Sequence, residues 1–379
     1  MPLFSSNYPQ NGSPVLLSTP ERTGSNSAYT GRGIVIAFID SGFFPHADLA
    51  GRILVHVDAT TQRIREQANG FHASDLSWHG QMTSVIAAGD GRSSAGKYRG
   101  IASDAQLVLI KVSNRRSQIK EADILRGLRW LLTNHQRFNV RIVNVSVGGD
   151  FESADPQHPL HRAVRKLTQA GVVVVTAAGN RGTKWMVPPA SAPDAITVGG
   201  IDDHNTLDSA QWMLYHHNYG RSYDGSAKPD LLAPAIWIAS PILPNSGVAR
   251  EARWLAPLLE AEDAASVSRV LRRGYADLAI PRSQALRPNK NLYAVLQARI
   301  HAHKLVDANH QHVDGTSVAA PIVSSVIAQM LEANPGLTPQ SIRAILTSTA
   351  HKLPGVADER QGAGVLNAPG AVKAAANLS

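Results

Sequence analysis

Four short runs along the chain are almost wholly apolar and rich in Val and Ile: Ile34 to Ile39, Leu107 to Val112, Ile142 to Val147 and Val172 to Thr176. Successive side chains of a strand point to opposite sides of a sheet, so runs without polar alternation suit strands buried on both faces. Between them the period lengthens. Ile124, Leu125, Leu128, Leu131 and Leu132 recur at helical spacing, as do Leu160, Ala163, Val164 and Leu167, each set forming one apolar stripe. Strands alternating with such helices predict an α/β fold whose parallel sheet has helices on both faces. Thr338 and Pro339 supply an N-cap and a first helical residue for a further helix through Ala350. Gly42, Gly148 and Gly179 each follow a strand-like run closely, where glycine permits a sharp turn. Open α/β sheets bind ligands beyond the carboxyl ends of their strands, so the residues just after these runs are where chemistry is expected.

The alternation breaks between about 241 and 311. This stretch carries two amphipathic helical patterns, Trp254 to Tyr275 and Leu292 to Leu305, joined by a Pro-containing linker, and reads as a helical insertion. Residues 1–30 are polar and read as a loosely structured N-terminal arm, leaving 31–379 as one large domain around the insertion.

Composition narrows the class. The chain has 379 residues, 43% hydrophobic and 17% charged, and no run of 18 apolar residues, so neither a membrane span nor a membrane partner is expected. There is no cysteine, which excludes disulfides and thiolate metal sites. The net charge of +8 comes from scattered basic residues with no stripe interleaved with aromatics, so nucleic acid is not expected as a partner either.

Three places then draw attention. Asp40 closes the first apolar run in Ile36-Ala37-Phe38-Ile39-Asp40-Ser41-Gly42, and a carboxylate there must be hydrogen-bonded or paired. His79, in Trp78-His79-Gly80, opens a helix-like stretch that ends at Gly89. Ser317, in Gly315-Thr316-Ser317-Val318-Ala319-Ala320-Pro321, stands at another helix start, where the dipole favours developing negative charge. Singly these residues read as a turn cap, a surface imidazole and an N-cap. Together, in the order Asp, His, Ser, they match the order of catalytic residues in subtilisin.

At these motifs the chain resembles the subtilisin-like serine proteases. Further segments resemble family blocks: Gly100-Ile101-Ala102, Asn144-Val145-Ser146-Val147-Gly148, Ala177-Ala178-Gly179-Asn180, Lys228-Pro229-Asp230-Leu231-Leu232-Ala233-Pro234 and Gln361-Gly362-Ala363-Gly364-Val365-Leu366-Asn367-Ala368. The resemblance runs from about Gly33 to Ala376 around the insertion. No Gly-x-Ser-x-Gly pentapeptide occurs, which sets aside the α/β-hydrolases.

The resemblance implies a three-layer subtilisin-like fold and a serine endopeptidase that cuts peptide or protein substrates through an acyl-enzyme. Asp40, His79 and Ser317 would form the triad, with Asn180 in the oxyanion hole. Ser146, Val147, Gly148 and Gly149 would pair with an extended peptide, and Ala178, Gly179 and Arg181 would line its pocket. Arg181 suggests tolerance of acidic side chains before the cut, against the plainer reading of a solvated arginine. The chemistry needs no cofactor. Structural calcium is common in the family, but no short motif places it here. Gln81, Val318 and Ala235 depart from the usual Thr, Met and Gly of the family blocks without removing a reacting group.

Alternatives are a dedicated processing protease or peptide ligase using the same triad, and a non-enzymatic module on the protease fold. His301, His303, His310 and His312 are expected to be solvated near the active-site rim rather than to bind metal, and the insertion to restrict substrate access. With only 39 residues before Asp40 and no signal-peptide pattern, a cytoplasmic enzyme is expected, with a secreted mature form as the alternative. The pattern sets no oligomeric state.

Overall fold

The computed structural model of the protein describes residues 2–10, 15–71 and 76–378. These form two compact units, one spanning 17–238 and 314–379 and the other spanning 1–16 and 239–313.

In chain order the larger unit carries helix α1 (Thr19–Thr23), strands β1 (Val35–Asp40), β2 (Ile53–Asp58) and β3 (Arg65–Gln67), and helix α2 (Ser77–Ala88). Strand β4 (Gln106–Lys111), helix α3 (Glu121–Asn134), strand β5 (Val140–Val145), helix α4 (Pro159–Gln169) and strand β6 (Val173–Ala177) follow. Next come β7 (Ile196–Asp202), β8 (Met213–Leu214), β9 (Gly220–Arg221), β10 (Ala227–Lys228) and β11 (Leu231–Pro234). Strand β12 (Ile238–Pro241), helices α5 (Gly247–Leu255), α6 (Ala264–Gly274), α7 (Arg282–Leu286) and α8 (Lys290–Ala302), and strand β13 (His310–Val313) make up the excursion into the smaller unit. The chain returns as α9 (Thr316–Ala333), α10 (Pro339–Thr349), α11 (Asp358–Gln361) and α12 (Ala368–Asn377).

Among the described residues nine strands join one sheet, in the order β11, β7, β6, β5, β1, β4, β2, β3, with β8 added to β7. All neighbours are parallel except β3 and β8. The four apolar runs are β1, β4, β5 and β6, each within two residues of its predicted bounds. Strand β7 is interrupted by Gly199 and Gly200, β2 is broken by His56 and Asp58, and β11 is apolar but only four residues long, so none of the three was read as a strand.

Every residue of β1 is buried. Val35, Ala37 and Ile39 pack with Ile124, Leu128 and Leu131 of α3 and with Leu160, Val164 and Leu167 of α4. The alternate residues turn to the opposite face, where α2 packs on β1, and α9 lies across β5, β6, β7 and β11. Helix α9 is long and apolar enough to cross a membrane, yet Val318 to Leu331 are all buried in the protein, as a central core helix must be. Helix α10 starts as its cap predicts: Thr338 Oγ1 accepts from the Ser341 N–H (3.1 Å) while the Thr338 N–H donates to Ser341 Oγ (2.8 Å).

Three expectations change. Residues 17–30 are not a loose arm, because α1 is fixed by Arg22, a buried guanidinium paired with Asp203 and donating to Asn205 Oδ1 (2.9 Å) and the Trp237 carbonyl (2.7 Å). The earlier residues belong with the helical unit, where Phe4 enters a core with Leu255, Leu271, Leu296 and Ile300. Within that unit the pattern from Trp254 to Tyr275 is not one helix. Pro257 lies in a tight turn after α5, and Asp263 caps α6 by accepting from the Ser266 N–H (2.7 Å). His310 and His312 are buried rather than solvated. His303 meets Glu251 (3.0 Å), His310 meets Asp307 (2.9 Å) and His312 meets Asn7 (2.6 Å), so the histidines are tied separately. Among the described residues no three His, Asp or Glu side chains gather to hold a metal ion.

Two histidines of the larger unit contribute strongly to its sensitivity to acid. His217 is fully buried, accepts at Nδ1 from the Gly200 N–H (3.1 Å) and donates from Nε2 to the Arg360 carbonyl (2.7 Å). A second ring proton would face the Gly200 donor, and burial pushes the imidazole down to about 4. Burial does the same to His56, also to about 4. An unfolded chain takes up these protons near pH 6.5, so between pH 6.5 and about 4 it binds more protons than the folded one, and stability falls on acidification. Each histidine contributes on the order of 3 kcal/mol to that loss. Thermal melts from pH 8 to 4 should show a falling Tm across this window and a shallower fall in His217→Gln. A flat Tm would refute the assignment.

Candidate active site

The direction of strand addition reverses at β1: β4 lies on one side of it and β5, then β6, on the other. Such a switch point opens a crevice at the carboxyl end of the sheet. Three adjacent strands, β1, β5 and β6, deliver Asp40, Ser146 and the Ala178 to Asn180 turn to this edge, at about 5 Å per strand.

Asp40, the last residue of β1, has no exposed surface. Its Oδ1 accepts from the Ser41 N–H (2.6 Å) and faces His79 Nδ1 (2.6 Å), and its Oδ2 accepts from Thr83 Oγ1 (3.0 Å). The buried carboxylate is thus held from several directions and fixed in orientation. Thr83 follows His79 by one helical turn, so α2 presents both to the same carboxylate.

His79 sits in the first turn of α2 with its side chain 23% exposed. Burial alone would push the imidazole down, but the charge of Asp40 and the hydrogen bond to it outweigh that, and its pKa lies above the ordinary 6.5. The bond at Nδ1 fixes the neutral ring with its proton on Nδ1, which leaves Nε2 as the base. Gly80 explains how the ring comes so close. A Cβ there would stand 2.0 Å from the Gly42 carbonyl oxygen and 2.8 Å from the Phe43 ring, so the glycine lets α2 press against the turn after β1.

On the other side, Asn180 Oδ1 accepts from the Thr316 N–H (2.8 Å) and Thr316 Oγ1 (3.0 Å), while Thr316 Oγ1 accepts from the Gly179 N–H (2.9 Å). The Thr316 N–H can only donate, so the amide atom facing it is the oxygen, and Nδ2 is left as a donor on an exposed residue. Gly315, at φ 128, turns the chain into α9, and a Cβ on it would lie 3.2 Å from Asn180 Nδ2. Ser317 is the second residue of α9, where backbone N–H groups have no intrahelical partner. Its carbonyl accepts from Ser146 Oγ (3.4 Å).

Val147, Gly148 and Gly149 continue from β5 towards solvent, and the Gly149 N–H is already donated to the Pro188 carbonyl (2.7 Å). Ala178 is buried. The Arg181 N–H donates to Asn218 Oδ1 (2.7 Å), and its guanidinium lies over the Trp185 ring, 5.3 Å from the centroid. Thr83, Thr316 and Asn218 escaped the reading of single motifs. Thr83 was findable from its one-turn offset to His79, and Thr316 from its place beside Ser317, but nothing local links Asn218 to Arg181.

A buried carboxylate bonded to an imidazole, a helix start carrying a serine and a turn carrying an amide donor, all carried by one parallel sheet covered on both faces and the helices packed on it, are the parts of an α/β serine hydrolase. Residues 31–364 match the model of the subtilase family, and the chain belongs to that family as a serine-type endopeptidase. It is 30% identical over 351 residues to the serine protease AprX of Bacillus subtilis (strain 168), covering 90% of this chain and 67% of that one. In structure it is similar to fervidolysin from Fervidobacterium pennivorans (TM-score 0.64, 20% identity, 97% of this chain and 47% of that one). It is likewise similar to the prenylagaramide maturation protease PagA (TM-score 0.58, 19% identity, 94% and 96%). These two likenesses concern the fold. Catalysis in the family needs no cofactor, and its substrates are peptides or proteins.

Proposed function

We propose that Asp40, His79 and Ser317 form the triad of this endopeptidase and that Asn180 donates to the oxyanion. The observation that carries this reading is the 2.6 Å bond between buried Asp40 and His79 Nδ1, which aims Nε2 away from the carboxylate. Nε2 removes the Ser317 hydroxyl proton as Oγ attacks the substrate carbonyl, and the same proton passes to the leaving amine. Water then attacks the acyl-enzyme, again through His79. The tetrahedral oxyanion is met by Asn180 Nδ2 and the Ser317 N–H. Residues 146–149 and 178–179 hold the peptide in extended form, Gly148 and Gly149 allowing close backbone approach. No step passes through a metal ion.

Arg181 extends this reading to preference. Exposed, and stacked on Trp185 by its flat guanidinium, it offers a positive group beside the oxyanion donor, which favours an acidic side chain next to the scissile bond. A second reading, a dedicated processing protease, is favoured by the helical unit with its own core, which a general protease does not need. One cleavage profile tests both, using casein and a mixed peptide library with the wild-type chain and Arg181→Glu. Broad cleavage with loss of acidic preference in Arg181→Glu supports the first reading, and near-silence on both substrates supports the second. An identical profile for the two chains removes Arg181 from the pocket.

A further inference from the structure

Asn144 stands where an amide is least expected. It lies in β5, paired on one side with Phe38 of β1 and on the other with Val175 of β6, and it has no exposed surface. A polar side chain in such a place is costly unless bonded. Its Oδ1 accepts from Ser324 Oγ (3.1 Å) and its Nδ2 donates to Ser146 Oγ (2.9 Å), two residues along the same face of the strand. The Ser146 hydroxyl in turn donates to the Ser317 carbonyl (3.4 Å).

That carbonyl is available because of Pro321. In a helix the carbonyl of residue 317 would accept from the N–H of residue 321, and proline has none. The sequence therefore removes the helical bond that would have fixed the first turn of α9 at Ser317. Ser324 lies seven residues beyond Ser317, two turns along the same face of α9. A closed loop results: Ser324 to Asn144, Asn144 to Ser146, Ser146 to Ser317, and back along two turns of helix.

We infer that Asn144 is a positioning residue, which through Ser146 replaces the hydrogen bond lost at Pro321 and sets the placement of Ser317 relative to the substrate-pairing segment that begins at Ser146. The inference rests on Ser317 being the nucleophile. Asn144 touches neither substrate nor reacting atoms. Its effect belongs in the rate of attack, since the bond between Asp40 and His79 is made by other residues, while Thr316, which holds Asn180, is the neighbour of Ser317 and moves with it.

The test compares wild type with Asn144→Leu, Ser146→Ala, Ser324→Ala and the double variant Asn144→Leu/Ser146→Ala. For each, the second-order rate of fluorophosphonate labelling at Ser317, kcat and KM on a short peptide, the pH midpoint of kcat/KM and the thermal melt are measured. Labelling rate and kcat are expected to fall roughly 5- to 30-fold in Asn144→Leu and Ser146→Ala, the size of one or two ordinary hydrogen bonds. In Asn144→Leu, whose changed side chain touches no substrate, KM and the pH midpoint should stay put. The double variant should be no worse than the poorer single one, because both break the same loop. Wild-type labelling at Ser317 with variants that label equally fast, or with single losses that multiply, would overturn the inference whatever the melts show. Ser146→Ala and Ser324→Ala each remove one oxygen atom and keep the question answerable if Asn144→Leu does not fold. A folded wild-type chain that never labels at Ser317 would overturn the nucleophile assignment and the inference with it.

Discussion

Replacing Ser317 by alanine should abolish peptide hydrolysis and all labelling by a fluorophosphonate, read as intact mass at neutral pH. The expected loss in kcat is about 10⁶-fold, the magnitude known for removal of the serine in subtilisin itself and not a quantity read from this chain. The reason is local. Ser317 stands at the start of α9, where the helix dipole and its own backbone N–H favour the negative charge that develops during attack. His79→Ala should lose nearly as much, because the hydroxyl then has no base, and combining the two changes should cost little more than either alone. The melting temperature of Ser317→Ala should stay close to that of wild type, since a half-buried hydroxyl is removed from a helix start without opening the core. A Ser317→Ala chain that still hydrolyses peptides at the wild-type rate would sink the triad.

Asn180→Ala should lower kcat by 10²- to 10³-fold with KM nearly unchanged, equivalent to about 2.7–4 kcal/mol, the value established for the corresponding donor in subtilisin. The split between kcat and KM follows from geometry. Asn180 Oδ1 is held by both donors of Thr316, so Nδ2 is preset before substrate arrives, and it is stronger towards a developing oxyanion than towards a ground-state carbonyl. Loss of the side chain leaves Thr316 with its bond to the Gly179 N–H, so the turn itself should persist and the melt should move little. Steady-state kinetics on one short peptide decides the matter. A variant that raises KM and leaves kcat intact would make Asn180 a substrate-binding residue instead.

Much of this protein was legible in its sequence, and the legible parts share a cause. Strands buried on both faces are apolar over most of their length, which made β1, β4, β5 and β6 visible, and a helix start needs a cap, which made Thr338 and α10 visible. The short motifs around Asp40, His79, Asn180 and Ser317 were visible because each proposed reacting group comes with particular close neighbours. Gly80, for example, has no alternative with a Cβ when Gly42 lies against it.

Relations between distant segments were decided only by the tertiary structure. That Arg22 would bury itself against Asp203, that residues before Leu16 would join the helical unit, and that the Trp254 to Tyr275 pattern would split at Pro257 and Asp263 depend on packing partners far along the chain. The same holds for the meeting of Asn144 with Ser324, 180 residues apart, and of Asn180 with Thr316, 136 apart. Periodicity and capping act over a turn or a strand and are written locally, so the sequence by itself determined the layers and the order of the motifs that carry the proposed reacting groups. A hydrogen bond between two loops depends on how the sheet brings their strands side by side, and that the folded chain alone decides.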